Sequence, residues 1–197
     1  MMVLFDMDDV LCDYRRDVRC AHLAAVSGRR PQDVEAAIWG GGIEAAADAG
    51  TLDAAAYLAA CGDALGHPLT EEEWLTARGA AMTARPGVLA MVAALRTPIA
   101  VLTNNTSLVG THIDRLFPEL RPLFGEAIFT SGGLGLAKPD PACFLACLHR
   151  LGAAPAETLF IDDLAENVRG AQAAGLSAWQ YTSEAGLADV LRGRGLL

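Results

Sequence analysis

Three carboxylates, Asp6, Asp8 and Asp9, fall within VLFDMDDVL at residues 3–11, directly behind a short apolar run. Like charges this close repel, and a strand entering a core normally avoids them. A second acidic pair, Asp162-Asp163, closes the run TLFI in the same way. Asp6 and Asp8 are two apart, so extended backbone points both to one side. Three or four carboxylates in one small space require a cation. An all-oxygen donor set suits a hard ion such as Mg²⁺, which takes few carboxylates and keeps waters. Two further features could join such a site. VLTNN, residues 101–105, ends an apolar run on Thr103, Asn104 and Asn105. Lys138, in GLAKPDP, is the only lysine beside fourteen arginines, and a single exception of that kind implies a need for a compact ammonium.

These residues need elements to position them. Five short apolar runs read as buried parallel strands: Met2–Asp6, Ile99–Thr103, Ala127–Thr130, Thr158–Asp162 and Ser177–Tyr181. Helical patterns separate the later ones. Leu108 to Phe117 is one. Pro141 to Leu151 is another, with Asp140 as N-cap and Gly152 past its end, and Leu164 to Ala174 is a third, stopped by Gly175. Alternating strands and helices predict an α/β, doubly wound parallel sheet. In such sheets sites form at the carboxyl ends of strands. Asp6, Thr103-Asn104-Asn105 and Asp162-Asp163 all lie at those ends, and Lys138 follows soon after the third strand. The region from Tyr14 to about Arg85 breaks the rhythm. It reads as Ala-rich helices, Arg15–Ser27, Pro31–Trp39, Asp53–Leu65 and Glu71–Thr83, with no strand and with Thr70 and Glu73 as a capping box. The expected organisation is a core of residues 1–13 and 86–197 with a helical insertion, 14–85.

With four acidic, hydroxyl or cationic groups placed in order at strand ends, the chain resembles the haloacid dehalogenase-like hydrolases, in the branch with a small helical cap after the first strand. The residues that carry the resemblance are Asp6-Met7-Asp8, Thr103, Lys138 before Pro139, and FIDDLAENVRGAQAAG with Asp162, Asp163 and Asn167. It covers nearly the whole chain and implies a Rossmann-like core with a cap domain. It also implies roles. Asp6 is the nucleophile that forms an aspartyl-phosphate. Asp8 is the acid and then the base. Thr103 and the Asn104 backbone amide bind the phosphoryl group, and Lys138 lies between that group and Asp6. Mg²⁺ is held by Asp6, the Asp8 carbonyl and Asp163, with Asp162 and Asn167 in or close behind the coordination sphere. One departure is Asp9, where the family usually has Gly. Asp tolerates unusual backbone angles, so activity is expected to survive, with an added negative charge that alters metal affinity.

The implied reaction is Mg²⁺-dependent hydrolysis of a small soluble phosphate monoester. A sugar-phosphate mutase uses the same core, but residues 14–85 show no clear second phosphate site. Dehalogenating relatives lack the second acid and the metal, so Asp8 and Asp162-Asp163 disfavour 2-haloacid cleavage. A receiver-like signalling domain also presents acids, Thr and Lys at strand ends. It is disfavoured by the helical insertion and by the acidic pair after Lys138.

Composition narrows the setting. The chain has 197 residues, 52% of them hydrophobic, and a net charge of −9, which argues against nucleic acid or anionic membrane as a partner. Its five cysteines form no CxxC and read as buried thiols of a reducing compartment. With no signal-peptide pattern and no membrane-length apolar run, the expected location is the cytoplasm. The four histidines are scattered and suggest no metal cluster. Asn105 reads as a cap for the next helix. Trp39 with Gly40-Gly41-Gly42 fits either a pocket wall or ordinary packing before a loop.

Overall fold

A computed structural model describes all residues, Met1–Leu197. Seven strands occur in chain order: β1 (Met2–Phe5), β2 (Cys12–Tyr14), β3 (Met82–Ala84), β4 (Ile99–Thr103), β5 (Ile128–Thr130), β6 (Thr158–Asp162) and β7 (Ser177–Gln180). Five form one parallel sheet in the order β5-β4-β1-β6-β7. β1 is central, between β4 and β6. Register pairs Phe5 with Val101 on one side and Ile161 on the other. The residues just past these strands therefore meet at one edge.

Alternation along each central strand supplies two cores. Val3, Phe5, Val101, Leu159 and Ile161 face the larger apolar cluster, where Pro86–Ala94 and Glu184–Gly193 contribute Val88, Leu187 and Leu191. Leu4, Ala100, Leu102 and Phe160 face the other side, against Cys143, Phe144, Cys147 and Leu148 of helix Pro141–Leu151. Phe144 meets Phe160 edge to face, with centroids 5.0 Å apart. Each such ring, fully buried, contributes about 2–3 kcal/mol of apolar transfer free energy. All five cysteines are free and buried. The Asp140 N-cap and the left-handed Gly152 end stand where the sequence puts them.

The segment between β2 and β3 is helical, as expected, but it ends on a strand. Helix Glu71–Ala80 stops three residues short of the expected Thr83. Met82–Ala84 then pairs antiparallel with Cys12–Tyr14, in register Cys12↔Ala84. The two crossings between sheet and insertion thus hold one another, a long-range pairing with no local signature. The Thr70–Glu73 capping box forms as read. Pro31–Trp39 splits into Pro31–Glu35 and a wider π-turn, Ala36–Gly40. A Cβ on Gly41 would lie 2.3 Å from the Ala37 carbonyl oxygen, so only glycine permits this reversal. Ile43–Asp48 is an additional helix. Leu108–Phe117 breaks at His112, after the weak helix formers Gly110 and Thr111. No helix is long and apolar enough to cross a membrane.

Candidate active site

A cavity of about 380 Å³ opens at the carboxyl ends of β1, β4 and β6. The core contributes Asp6, Asp8, Asp9, Thr103, Asn104, Asn105, Lys138, Asp163 and Asn167. The helical insertion adds Trp39, Glu44, Asp48 and Arg78. A larger cavity of about 740 Å³ lies within the insertion, but its lining, from Ala55 to Thr70, gathers no comparable set of reactive groups.

Asp6 ends β1. Its Oδ1 accepts from the Met7 backbone N–H at 2.7 Å and lies 2.9 Å from Lys138 Nζ, while no protein group donates to Oδ2. Burial pushes the Asp6 carboxyl well up, Lys138 opposes this, and Asp162 and Asp8 reinforce it. Lys138 is fully buried and reaches Asp162 Oδ2 at 2.6 Å. Burial works against its charge, but Asp6 and Asp162 outweigh that and raise its pKa. Its backbone is pinned by the Asn104 side chain, which accepts from Lys138 N–H and donates to Lys138 C=O. Behind it, a Cβ on Gly170 would meet the Pro139 carbonyl oxygen at 2.1 Å, so helix Ala165–Ala173 seats the lysine loop by close backbone contact.

The two acids that end β6 differ. Asp162 is fully buried beneath the cavity floor and accepts from Lys138, Asn167 and the Leu164 backbone N–H. Asp163 lines the cavity half-buried, and no side chain donates to its carboxylate. Burial, with help from Asp162 and Asp9, pushes it up to about 6. Carboxylate oxygens of Asp6, Asp162 and Asp163 lie within 4.8 Å of one another. This oxygen-only set fits a hard divalent cation, and the undonated oxygens of Asp6 and Asp163 are those free to bind one.

Thr103 is buried at the end of β4 and accepts from Asn105 Nδ2 at 2.8 Å, which leaves its own hydroxyl proton available. Asn105 is not the helix cap that the sequence suggests. Thr106 caps helix Ser107–Thr111 through its hydroxyl. Buried Asn105 donates to Thr103 Oγ1 and to Asp8 Oδ2 at 3.0 Å. Arg78 was also missed from the sequence. It comes from the end of helix Glu71–Ala80, and its Nη2 lies 2.8 and 2.7 Å from the two Asp8 oxygens. One arginine among fourteen carries no local signal, and Asp8 and Arg78 are seventy residues apart.

Asp9 takes the left-handed conformation, φ 58°, and its Oδ1 accepts from the Tyr14 backbone N–H at 3.2 Å. It is the non-glycine residue the turn tolerates, and its carboxylate organises the approach to β2. Trp39 is a cavity wall. The guanidinium of Arg19 stands 5.0 Å and that of Arg16 5.4 Å from its ring centroid. Asp48 lines the same wall with a buried Oδ1 that has no partner, and burial with the nearby Glu44 pushes it up to about 7.

Comparisons with known proteins bear on the family and the fold. The model of the haloacid dehalogenase-like hydrolase family matches residues 1–175. The phosphatase MT3486 of Mycobacterium tuberculosis is 37% identical over 81 residues, which are 41% of this chain and 37% of that protein. The mouse acyl-CoA dehydrogenase family member 10 is 39% identical over 77 residues, only 7% of its length. The aligned part is therefore well under half of either relative. In fold, the chain is similar to a predicted HAD-like hydrolase of Porphyromonas gingivalis, with TM-score 0.82, 22% identity and 97% of each chain covered. It is also similar to the HAD family enzyme bt-2542 of Bacteroides thetaiotaomicron, solved with magnesium and inorganic phosphate, with TM-score 0.79, 22% identity and 92% and 93% covered. L-2-haloacid dehalogenase of Xanthobacter autotrophicus shares the fold too, with TM-score 0.67, 19% identity and 100% and 84% covered. With strand order, site and family match in accord, the chain belongs to the haloacid dehalogenase-like hydrolases.

Proposed function

We propose that the protein is a Mg²⁺-dependent phosphatase that hydrolyses a small phosphate monoester through an aspartyl-phosphate on Asp6. The observation that carries this reading is the state of Asp6. One oxygen is fixed by a backbone N–H and the single lysine, while the other has no donor and faces a cavity shared with a second acid, Asp8. The known dehalogenase mechanism has no use for that second acid.

Asp6 Oδ2 attacks phosphorus, and the ester P–O bond breaks. Asp8 gives its proton to the departing alkoxide oxygen, then takes one from the water that hydrolyses the aspartyl-phosphate. Thr103 donates its free hydroxyl proton to a phosphoryl oxygen, and Lys138 holds a fixed positive charge beside Asp6. Asp6, Asp163 and the Asp8 backbone carbonyl would hold the metal. Mg²⁺ in that place offsets the repulsion between an anionic nucleophile and an anionic ester. Asp162 acts indirectly, by fixing Lys138.

Residues 14–85 form the cap in this reading, with 1–13 and 86–197 as core and the β2–β3 ribbon as the joint between them. A cavity of about 380 Å³ suits a phosphoryl group with a modest leaving group. The test is turnover of an aryl phosphate by the purified chain, with Mg²⁺ and with a chelator. Turnover that requires Mg²⁺ and is lost in Asp6→Asn supports the reading. Equal turnover in both conditions with Asp6→Asn unaffected, or metal-free halide release from a 2-haloacid, refutes it.

A further inference from the structure

We propose that Arg78 is the positioning residue for the acid–base group Asp8, and that it ties proton transfer to the placement of the helical insertion. This inference rests on the phosphatase reading of the site. Arg78 is 1% exposed, and its Nη2 reaches both Asp8 oxygens, at 2.8 and 2.7 Å, and Asn105 Oδ1 at 3.1 Å. Its guanidinium carbon lies over the Tyr14 ring, 4.1 Å from the centroid, so the group has an aromatic contact as well as hydrogen bonds. Asn105 closes the ring by donating to Asp8 Oδ2 and Thr103 Oγ1. The aspartate carboxylate is therefore held from two directions, by a core residue and by an insertion residue.

Arg78 Nε is buried without a partner, although a guanidinium has five N–H donors to place. Arg19, paired with Glu44, leaves its Nε unmet in the same way, so what sets Arg78 apart is its simultaneous reach to Asp8 and Asn105. Arg78 lies two residues before the end of its helix, which runs directly into β3. β3 is paired with β2, which begins four residues after Asp8. Any shift of the insertion about this ribbon moves Arg78 relative to Asp8.

The consequence falls on one bond-breaking step. When the ester P–O bond breaks and the Asp6–phosphorus bond forms, the proton leaves Asp8 for the departing oxygen. Asp8 Oδ2 accepts from both Arg78 and Asn105, so these two hold that oxygen while Oδ1 is the one left to give the proton. Esters of alkyl alcohols depend on that proton, whereas an aryl phosphate expels a stabilised phenolate and needs it far less. A misplaced acid costs up to about 100-fold in rate.

The experiment compares kcat/KM for p-nitrophenyl phosphate and for simple alkyl phosphates in the wild type, Arg78→Gln and Arg78→Lys. The expected result is a drop of about 100-fold for the alkyl esters in Arg78→Gln, with a drop of a few-fold at most for the aryl ester. Arg78→Lys keeps the charge without the planar guanidinium and should restore part of the alkyl rate. If Arg78→Gln does not fold, Arg78→Lys against wild type must still show the larger loss on alkyl esters. Equal losses on both ester classes, or none, in a folded variant would overturn the inference and leave the phosphatase reading standing. Absence of wild-type turnover on every ester would overturn both.

Discussion

Lys138→Met removes the single positive charge that the core places against the buried carboxylates. Lys138 Nζ lies 2.9 Å from Asp6 and 2.6 Å from Asp162, and neither it nor Asp162 has side-chain exposure. Methionine matches the volume but leaves two buried acids facing one another. Breaking one side of a buried ion pair costs about 3–5 kcal/mol. For a chain of this size that is a fall of roughly 6–20 °C in Tm. The sign with pH follows from Asp6. Its carboxyl is already raised by burial, with Lys138 opposing the rise, and removing Lys138 raises it further. A carboxyl whose folded pKa lies above its unfolded one destabilises progressively as pH climbs from the unfolded value through the folded value, and protonation below that window relieves the loss. The gap between Lys138→Met and wild type should therefore be wide at pH 8 and narrower at pH 5. Added Mg²⁺ should narrow it too, by binding only the folded state. Phosphatase turnover should fall by about 10²–10³ beyond any loss of folded protein. Thermal melts at the two pH values, with and without Mg²⁺, read all of this. A variant as stable as wild type at pH 8 would show that Lys138 does not compensate the buried acids.

Three other outcomes are expected. Asp48→Asn should stabilise the protein at pH 8, by up to about 4 kcal/mol, and change little near pH 4. The wild-type carboxyl is pushed up to about 7, so its penalty grows as pH rises from the unfolded value near 4 through 7, and equal Tm differences at both pH values would contradict this. Gly170→Ala must push the Pro139 carbonyl away from 2.1 Å, displacing the lysine loop, so activity should fall by more than folded content does, as circular dichroism beside a turnover assay would show. Asp9→Ala should cost about 1–2 kcal/mol in urea unfolding, because alanine resists the left-handed turn and loses the Tyr14 contact, whereas Asp9→Gly should cost less.

Much of this fold was legible because it is locally encoded. Short apolar runs with acids or Thr at their ends read as buried parallel strands, and Asp140, Gly152 and the Thr70–Glu73 pair mark helix limits through local capping chemistry. Asp6, Thr103, Asn104, Lys138 and Asp163 line one cavity because each stands at or near a strand end of the same sheet edge. What stayed hidden depends on distant partners. Met82–Ala84 is a strand only because Cys12–Tyr14 lies beside it. Asn105 resembles a cap until Asp8 and Arg78 surround it. The resemblance ranks Asp163 before Asp162 as a metal ligand, but the physical reason appears only when Lys138 and Asn167 are seen to occupy Asp162. Asp9, without a role in the sequence, gains one from its backbone angle.

The central claim is a covalent phosphoryl group on Asp6. The direct measurement is acid quenching of the enzyme during turnover of an aryl phosphate with Mg²⁺, followed by peptide mapping by mass spectrometry. The account predicts phosphate on the peptide that carries Asp6, and none in Asp6→Asn or in the presence of chelator. Phosphate on a different residue, or steady phosphate release with no covalent adduct under conditions that trap aspartyl-phosphates, would contradict it.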